Sequence, residues 1–250
     1  MQTNHALDQS NFCLTGYASL MERLRSKGYC FRSFPEASQC LANGEQFVLL
    51  RHDIDFDLSA AEQMSAVEAE LGIVSTYFFM LRTEHYNPLT RSSSELISKI
   101  LSRGHHFGLH FDCASYSPSA SVSDLASACG VEAEVLGRWF RCPVKIVSYH
   151  RPNSNVLTGN PAISAPLPHT YSQLYTKEIQ YCSDSRGAWN HGMPTDLPAF
   201  KEGRPLHILV HPIWWASTVR TPKERLLELI ESKGKDLHQS FANNCTVFTI

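Results

Sequence analysis

Basic clusters are missing from this chain. Lys and Arg number 22 against 24 Asp and Glu, the formal net charge is −2, and no run or predicted face gathers the positive charge. Neutralising a phosphate backbone takes clustered Lys and Arg, so nucleic-acid binding is set aside. Long apolar runs are missing too. The longest, "IVSTYFFML" and "LHILVHPIWW", fall far short of the ~20 residues a spanning helix requires, so no membrane span is expected. The opening "MQTNHALDQSNFCLTGYASL" lacks the basic segment and following apolar segment of a secretory signal. The eight cysteines are scattered without C-x-x-C pairs, which reads as free thiols in a reducing compartment, and the expected location is the cytoplasm. No G-x-G-x-x-G follows a predicted strand, which argues against a dinucleotide-binding fold. Internal repeats, low-complexity tracts and clear linkers are absent.

What is present is an alternation of helix and strand signals in 250 residues of ordinary globular composition, 43% apolar and 18% charged. Tyr17, Leu20, Met21 and Leu24 share a helical face within an N-terminal helical segment, 14–28. Phe47–Leu50 reads as a buried strand. Leu58, Ala61, Met64, Val67 and Leu71 recur at helical spacing, and "IVSTYFFML" is the next strand. Ser92 and Glu95 predict a capping box for a helix that Gly104 ends. "FGLHF", "VKIVSYH", "EIQYCSDS" and "LHILVH" read as further strands, Val131–Phe140 as a helix, and "CTVFTI" as a possible last strand. Thr221, Pro222 and Glu224 open a C-terminal helix over 221–240. Strand–helix alternation implies parallel strands with helices outside. The expected fold is α/β, a distorted, incomplete (β/α) barrel of about seven strands, in one domain over 1–250 with its motif core at 47–215. Two loop-rich stretches, Pro152–Tyr175 and Ser185–Pro205, have the length of functional lids.

The polar residues fall at strand ends. Asp53 and Asp55 follow the first strand, His110 and Asp112 close another, His150 and Arg151 the next, then Asp184, then His211. In a parallel barrel these positions share the rim where active sites sit. Asp53, Asp55 and Asp57 alternate, so in extended chain their carboxylates would crowd on one side unless a cation or proton intervenes. Asp57 is a preferred N-cap for the helix at Leu58. Asp53 and Asp55 are read as a site, and His110 beside them makes a shell of imidazole and carboxylate suited to zinc and other divalent ions. His105 and His106 precede their strand and are expected in solvent or bonded to a loop. For His150 and His211 three roles stay open: metal ligand, general acid, or packed residue bonding a loop carbonyl. Trp214 and Trp215 are core or a platform for a sugar face. Arg82, Glu84 and His85 are weaker candidates, and Cys113 reads as a small hydrophobe before a nucleophile.

Taken together, "LRHDID", "RGHHFGLH", "HRP", "SDSRGAW" and "LVHP" resemble, in order, the motifs of the polysaccharide deacetylase family, and in particular a divergent branch of O-antigen and capsule biosynthesis. The resemblance runs from Phe47 to Trp215. It implies metal-dependent hydrolysis of an N-acetyl or related N-acyl group on an amino sugar, free or nucleotide- or lipid-linked. It carries the general base onto Asp53 and metal ligation onto Asp55 and His110. Arg151 would orient the base, Asp184 and Trp189 would support the site, and His211 would protonate the leaving group. One position departs from the pattern. The second metal histidine, four residues after the first, is replaced by Ala114, so either His150 or Asp112 must supply that ligand, and His150 is favoured. The expected cofactor is a divalent metal, zinc first, with cobalt or nickel as alternatives. The rival readings are a carbohydrate-binding pseudoenzyme of the same fold and a hydrolase of another C–N bond, such as a deformylase or ureide hydrolase.

Overall fold

The structure is a computed structural model that describes residues 12–152 and 163–248. Its seven strands are β1 (Cys30–Phe31), β2 (Phe47–Ile54), β3 (Thr76–Phe79), β4 (His106–Asp112), β5 (Val147–His150), β6 (Gln180–Ser183) and β7 (Leu206–Val210). Every pairing is parallel, in the order β5-β4-β3-β2-β7-β6, with β1 on the first residues of β2. The edge strands β5 and β6 do not pair with each other, so the curled sheet stays open there. This is the distorted, incomplete (β/α) barrel expected from the strand–helix alternation.

The helices are α1 (Leu14–Ser26), α2 (Ala37–Ala42), α3 (Leu58–Glu70), α4 (Arg91–Ser102), α5 (Val122–Phe140), α6 (Pro198–Glu202) and α7 (Pro222–Asn244). Asp57 caps α3 as expected, accepting from the Ser59 and Ala60 amides at 2.8 and 3.3 Å. Thr221 and Glu224 form the capping box of α7. The box expected at Ser92 and Glu95 is not made: Thr90 holds the N-cap position of α4, and Glu95 instead pairs with Arg91 on the next turn. Helix α5 starts nine residues earlier than its apolar periodicity suggested, behind a Ser121–Asp124 box. Cys245–Phe248 forms a turn and no strand, the rest of "CTVFTI" lying outside the described residues.

Alternation along β2 organises the core. All eight residues are buried, as expected of a strand covered on both faces. Val48 and Leu50 face outward into a cluster with α1, Trp189, Trp214 and Trp215. Phe47 and Leu49 face inward and join Phe34, Phe78 and Ile146 as an apolar floor of the barrel. Above that floor the same inward face carries Arg51 and Asp53. Gly108 on β4 has no room for a side chain, because a Cβ would stand 2.4 Å from the Phe78 ring. Of the two expected lids, Ser185–Pro205 is packed as wall, with Trp189, Leu197 and Ala199 buried in the outer cluster. In Pro152–Tyr175, residues 153–162 lie outside the described set, while Ile163 and Tyr175 are buried.

His207, on β7, is buried in the barrel, where its Nδ1–H donates to the Tyr175 carbonyl at 3.0 Å. Burial, with Arg51 nearby, lowers its pKa to about 3. The unfolded imidazole takes up a proton near pH 6.5, which the folded one refuses until about 3. This group therefore contributes its full stability above about 6.5 and loses it as pH falls toward 3. Urea denaturation should show stability declining from pH 7 to pH 4, by at most about 1.4 kcal/mol per pH unit for this one proton. His207→Gln should have a shallower decline over that range, and an unchanged slope would contradict the assignment.

Candidate metal centre and active site

The inward face of β2 delivers two of the charges. Asp53 is clamped by Arg51, two residues before it on the same face, through Nε to Oδ1 at 2.8 Å and Nη2 to Oδ2 at 2.6 Å. Both side chains are buried, and the guanidinium lies between the rings of Phe78 and Tyr171, 5.5 and 5.6 Å from their centres. Burial alone would raise the Asp53 pKa; the Arg51 charge, with His110 and His211, reverses this and holds it below the usual carboxylate range.

Register then brings in β4 and β5. His110 lies opposite Ser148, and Asp112 opposite His150. The Ser148 hydroxyl donates to Asp53 Oδ1 at 3.2 Å and stands 2.6 Å from His110 Nδ1. A hydroxyl that gives its proton to Asp53 accepts from Nδ1–H, which leaves the His110 Nε2 lone pair facing outward. That Nε2 lies 3.0 Å from Asp55 Oδ1, and His150 Nδ1 lies 3.3 Å from the same oxygen. Burial would raise the Asp55 pKa, and the adjoining His110 and His150 rings draw it well below the ordinary range. One carboxylate oxygen and two imidazole nitrogens, all within 4.8 Å of one another, make up this group. The donor set fits a divalent ion of the zinc type, with Ser148 orienting one imidazole from behind.

Across the mouth, His211 Nε2 is 3.9 Å from Asp55 Oδ2. Its Nδ1 is held by Asp184 Oδ1 at 2.6 Å, and Asp184 also accepts from the His211 amide and from Trp215 Nε1 at 2.7 Å. Burial would depress the His211 pKa, but Asp184 raises it to about 9, so the ring is cationic at neutral pH.

The structure thus brings Asp53, Asp55, His110, His150, Asp184 and His211 to one mouth. Two expected placements differ. Arg151 does not touch Asp53; it is largely exposed and pairs with Asp112, whose carboxylate also accepts from the Ala114 amide and Ser115 Oγ. Asp112 is saturated by these donors, and the group of side chains that could hold an ion contains His150 and not Asp112. Trp189 packs near Trp215, ring centres 6.1 Å apart, and reaches the site only through it. Trp214 and Trp215 are buried core and present no face to a ligand. His105 is also buried, accepting from the Ser75 amide and donating to the Ser65 carbonyl. Burial raises the Cys113 thiol to about 11, an unreactive value. Arg82, Glu84 and His85 line a cavity of about 760 Å³ beside the site, together with Ala114, His150 and Arg151.

Sequence reasoning missed Arg51 and Ser148. Strand alternation from Asp53 would have found Arg51, whereas Ser148 needs the β4–β5 register, which no local pattern carries.

No family model and no curated protein matches the chain. Among solved structures it is similar to the Streptococcus pyogenes deacetylase PplD in complex with acetate, at 16% identity and TM-score 0.47 over 85% of this chain and 84% of that one. It is similar to the chitin deacetylase of Colletotrichum lindemuthianum, at 16% identity and TM-score 0.48 over 76% and 83%. With IcaB from Ammonifex degensii it shares 20% identity and TM-score 0.43, over 54% of this chain and 65% of that one. All three are distant.

The buried pair sets a stability test. Arg51→Met leaves Asp53 buried without its guanidinium partner and should destabilise the fold by about 3 kcal/mol in urea denaturation. Adding Asp53→Leu should recover most of the loss, and a near-neutral Arg51→Met would show the pair to be dispensable.

Proposed function

We propose that the chain is a metal-dependent hydrolase that removes an N-acetyl or related N-acyl group from an amino sugar. One observation carries the reading: a base locked as carboxylate and an imidazolium braced by Asp184 flank a donor trio of Asp55, His110 and His150. Two imidazoles and one carboxylate suit zinc. When bound there, a divalent ion supplies Lewis-acid polarisation of the amide carbonyl and a more acidic water.

The chain's own residues then move the protons. Arg51 bonds both oxygens of Asp53 and Ser148 adds a second bond to Oδ1, so Oδ2, 3.7 Å from His110 Nε2, keeps the freer lone pair and lies nearer the donor trio. Asp53 takes the proton of the attacking water at that oxygen. His211 donates from Nε2 to the departing amine nitrogen as the C–N bond breaks, and Asp184 keeps Nδ1–H in place. The products are the free amine and the carboxylic acid. The adjoining cavity has room for a sugar residue and its linked group. The motif resemblance supports placing that substrate in surface-polysaccharide assembly. The pseudoenzyme reading drew on Ala114, but a third donor stands at His150, so that reading gains nothing from the geometry.

Metal analysis of chain purified without chelator should find one divalent ion, lost in His110→Ala and in His150→Ala. Ser148→Ala should weaken metal affinity by roughly 10- to 100-fold in chelator competition. Asp53→Asn should abolish acetate release from acetylated amino sugars while metal content stays near wild type. Absence of bound metal, together with no acetate release on adding zinc, cobalt or nickel, would sink the proposal.

A further inference from the structure

Helix α7 is the least supported element of the fold. Across its 23 residues only Arg225 is fully buried, and Leu229 leans on the outer apolar cluster. In proteins most helical stability comes from a packed apolar face. An apolar face exists but points outward: Leu227, Ile230, Leu237 and Phe241 are 53%, 67%, 54% and 46% exposed. With Gly234 they occupy steps of three, four, three and four residues, the a/d seam of a heptad. Leu226, 37% exposed, borders the same face, and an apolar stripe of this kind suits one other helix. Among the described residues no element covers it.

Gly234 is the second observation. Glycine inside a helix costs about 1 kcal/mol relative to alanine. A Cβ at Gly234 would meet nothing within 4 Å, so no contact among the described residues calls for its absence. A helix crossing closely from outside does.

We propose that the seam pairs with α7 of a second copy of this chain, antiparallel about a two-fold axis between Lys235 and Asp236. That axis sets Leu237 of the partner subunit against Gly234, and Phe241 of the partner subunit against Ile230, large against small and apolar against apolar. It also places Glu231 beside His238 of the partner subunit, twice over. The helix carries four basic residues (Lys223, Arg225, Lys233, Lys235) and four acidic ones (Glu224, Glu228, Glu231, Asp236). This balance lets two copies meet without repulsion and gives no attraction to an anionic membrane. The exposed seam amounts to roughly 500 Å² per copy, so pairing buries on the order of 1,000 Å², where specific interfaces begin. Phe248, its ring 5.7 Å from that of Phe241, widens the seam at one end.

Sedimentation equilibrium of the full chain, with reductant because Cys245 is exposed, should give a dimer of micromolar or tighter affinity. Ile230→Glu with Leu237→Glu should be monomeric, its circular dichroism spectrum losing at most the helical signal of α7. Gly234→Ala fits the isolated helix, so its Tm should hold or rise while the dimer weakens by roughly tenfold or more. A wild-type monomer at ~100 µM overturns the proposal. So does a dimer that ignores these substitutions. Wild-type chain that co-sediments with phosphatidylglycerol vesicles, and loses them in the double variant, would assign the seam to a lipid surface and overturn it equally.

Discussion

A barrel mouth that gathers Asp53, Asp55, Asp112 and Asp184 has to neutralise each of them, and the Arg51–Asp53 pair is where that requirement is strictest. The pair is buried, on one strand, above an apolar floor, where an uncompensated carboxylate would neutralise itself by taking a proton. Arg51 prevents this from two residues away, because strand geometry turns both side chains to the same face. The remaining acids are matched from other strands: Asp55 by the two histidines, Asp112 by Arg151, Asp184 by His211 and Trp215. Once Asp53 is fixed as a carboxylate, Ser148 has a fixed acceptor, and His110 inherits a fixed tautomer from Ser148.

The outer face of β2 carries a second buried charge. His52, between Arg51 and Asp53, points outward and its Nε2 lies 2.6 Å from Glu68 Oε1 on α3. Glu68 also accepts from Tyr17 on α1, from Ser75 Oγ at 2.7 Å and from Tyr77 on β3 at 2.9 Å. Burial would raise its pKa, and His52 with these donors lowers it to about 2. One carboxylate thereby ties α1, α3, β2 and β3 together behind the residues that face the site. Arg51 and Asp53 are held in front by each other, and their backbone is held from behind by His52.

Much of this is local and therefore legible in sequence. The helix spacing of Leu58, Ala61 and Met64, the N-cap Asp57 and the Asp or His at each strand end all depend on neighbours a few residues away. The strand ends converge because parallel topology places them on one rim, an inference that needs the fold class and no coordinates. What escaped reading depends on register or on competition between partners. Ser148 acquires its role only by lying opposite His110. Arg151 resembled the residue that orients a base, yet Asp112 stands nearer to it and Arg51 already fills the position at Asp53. Trp215, read as either core or sugar platform, is core that also holds Asp184. The two-residue β1 and six-residue α2 carry too short an apolar pattern to stand out.

The replacement at Ala114 has a consequence for how the site is built. A pair of histidines four residues apart would place one imidazole on β4 and the other in the turn that follows it, at Cys113–Ser115, where local chain geometry sets their separation. Here the donors come from three strands: Asp55 after β2, His110 on β4 and His150 at the end of β5. Their separation is set by hydrogen-bonded register, above all by Asp112 opposite His150. Strand β5 has only four residues and, beyond β4, a single bridge from Val147 to His169, so its register gains from another lock. Arg151 supplies one: directly after His150, it reaches back to the carboxylate of Asp112, the residue paired with His150 across the ladder. The pairing of Arg151 with Asp112 in place of Asp53 thus sits beside the one member of the donor group that lies on β5. A site that takes a ligand from an edge strand depends on a clasp on that strand, and the side chain left small at Ala114 opens the adjoining wall to the cavity.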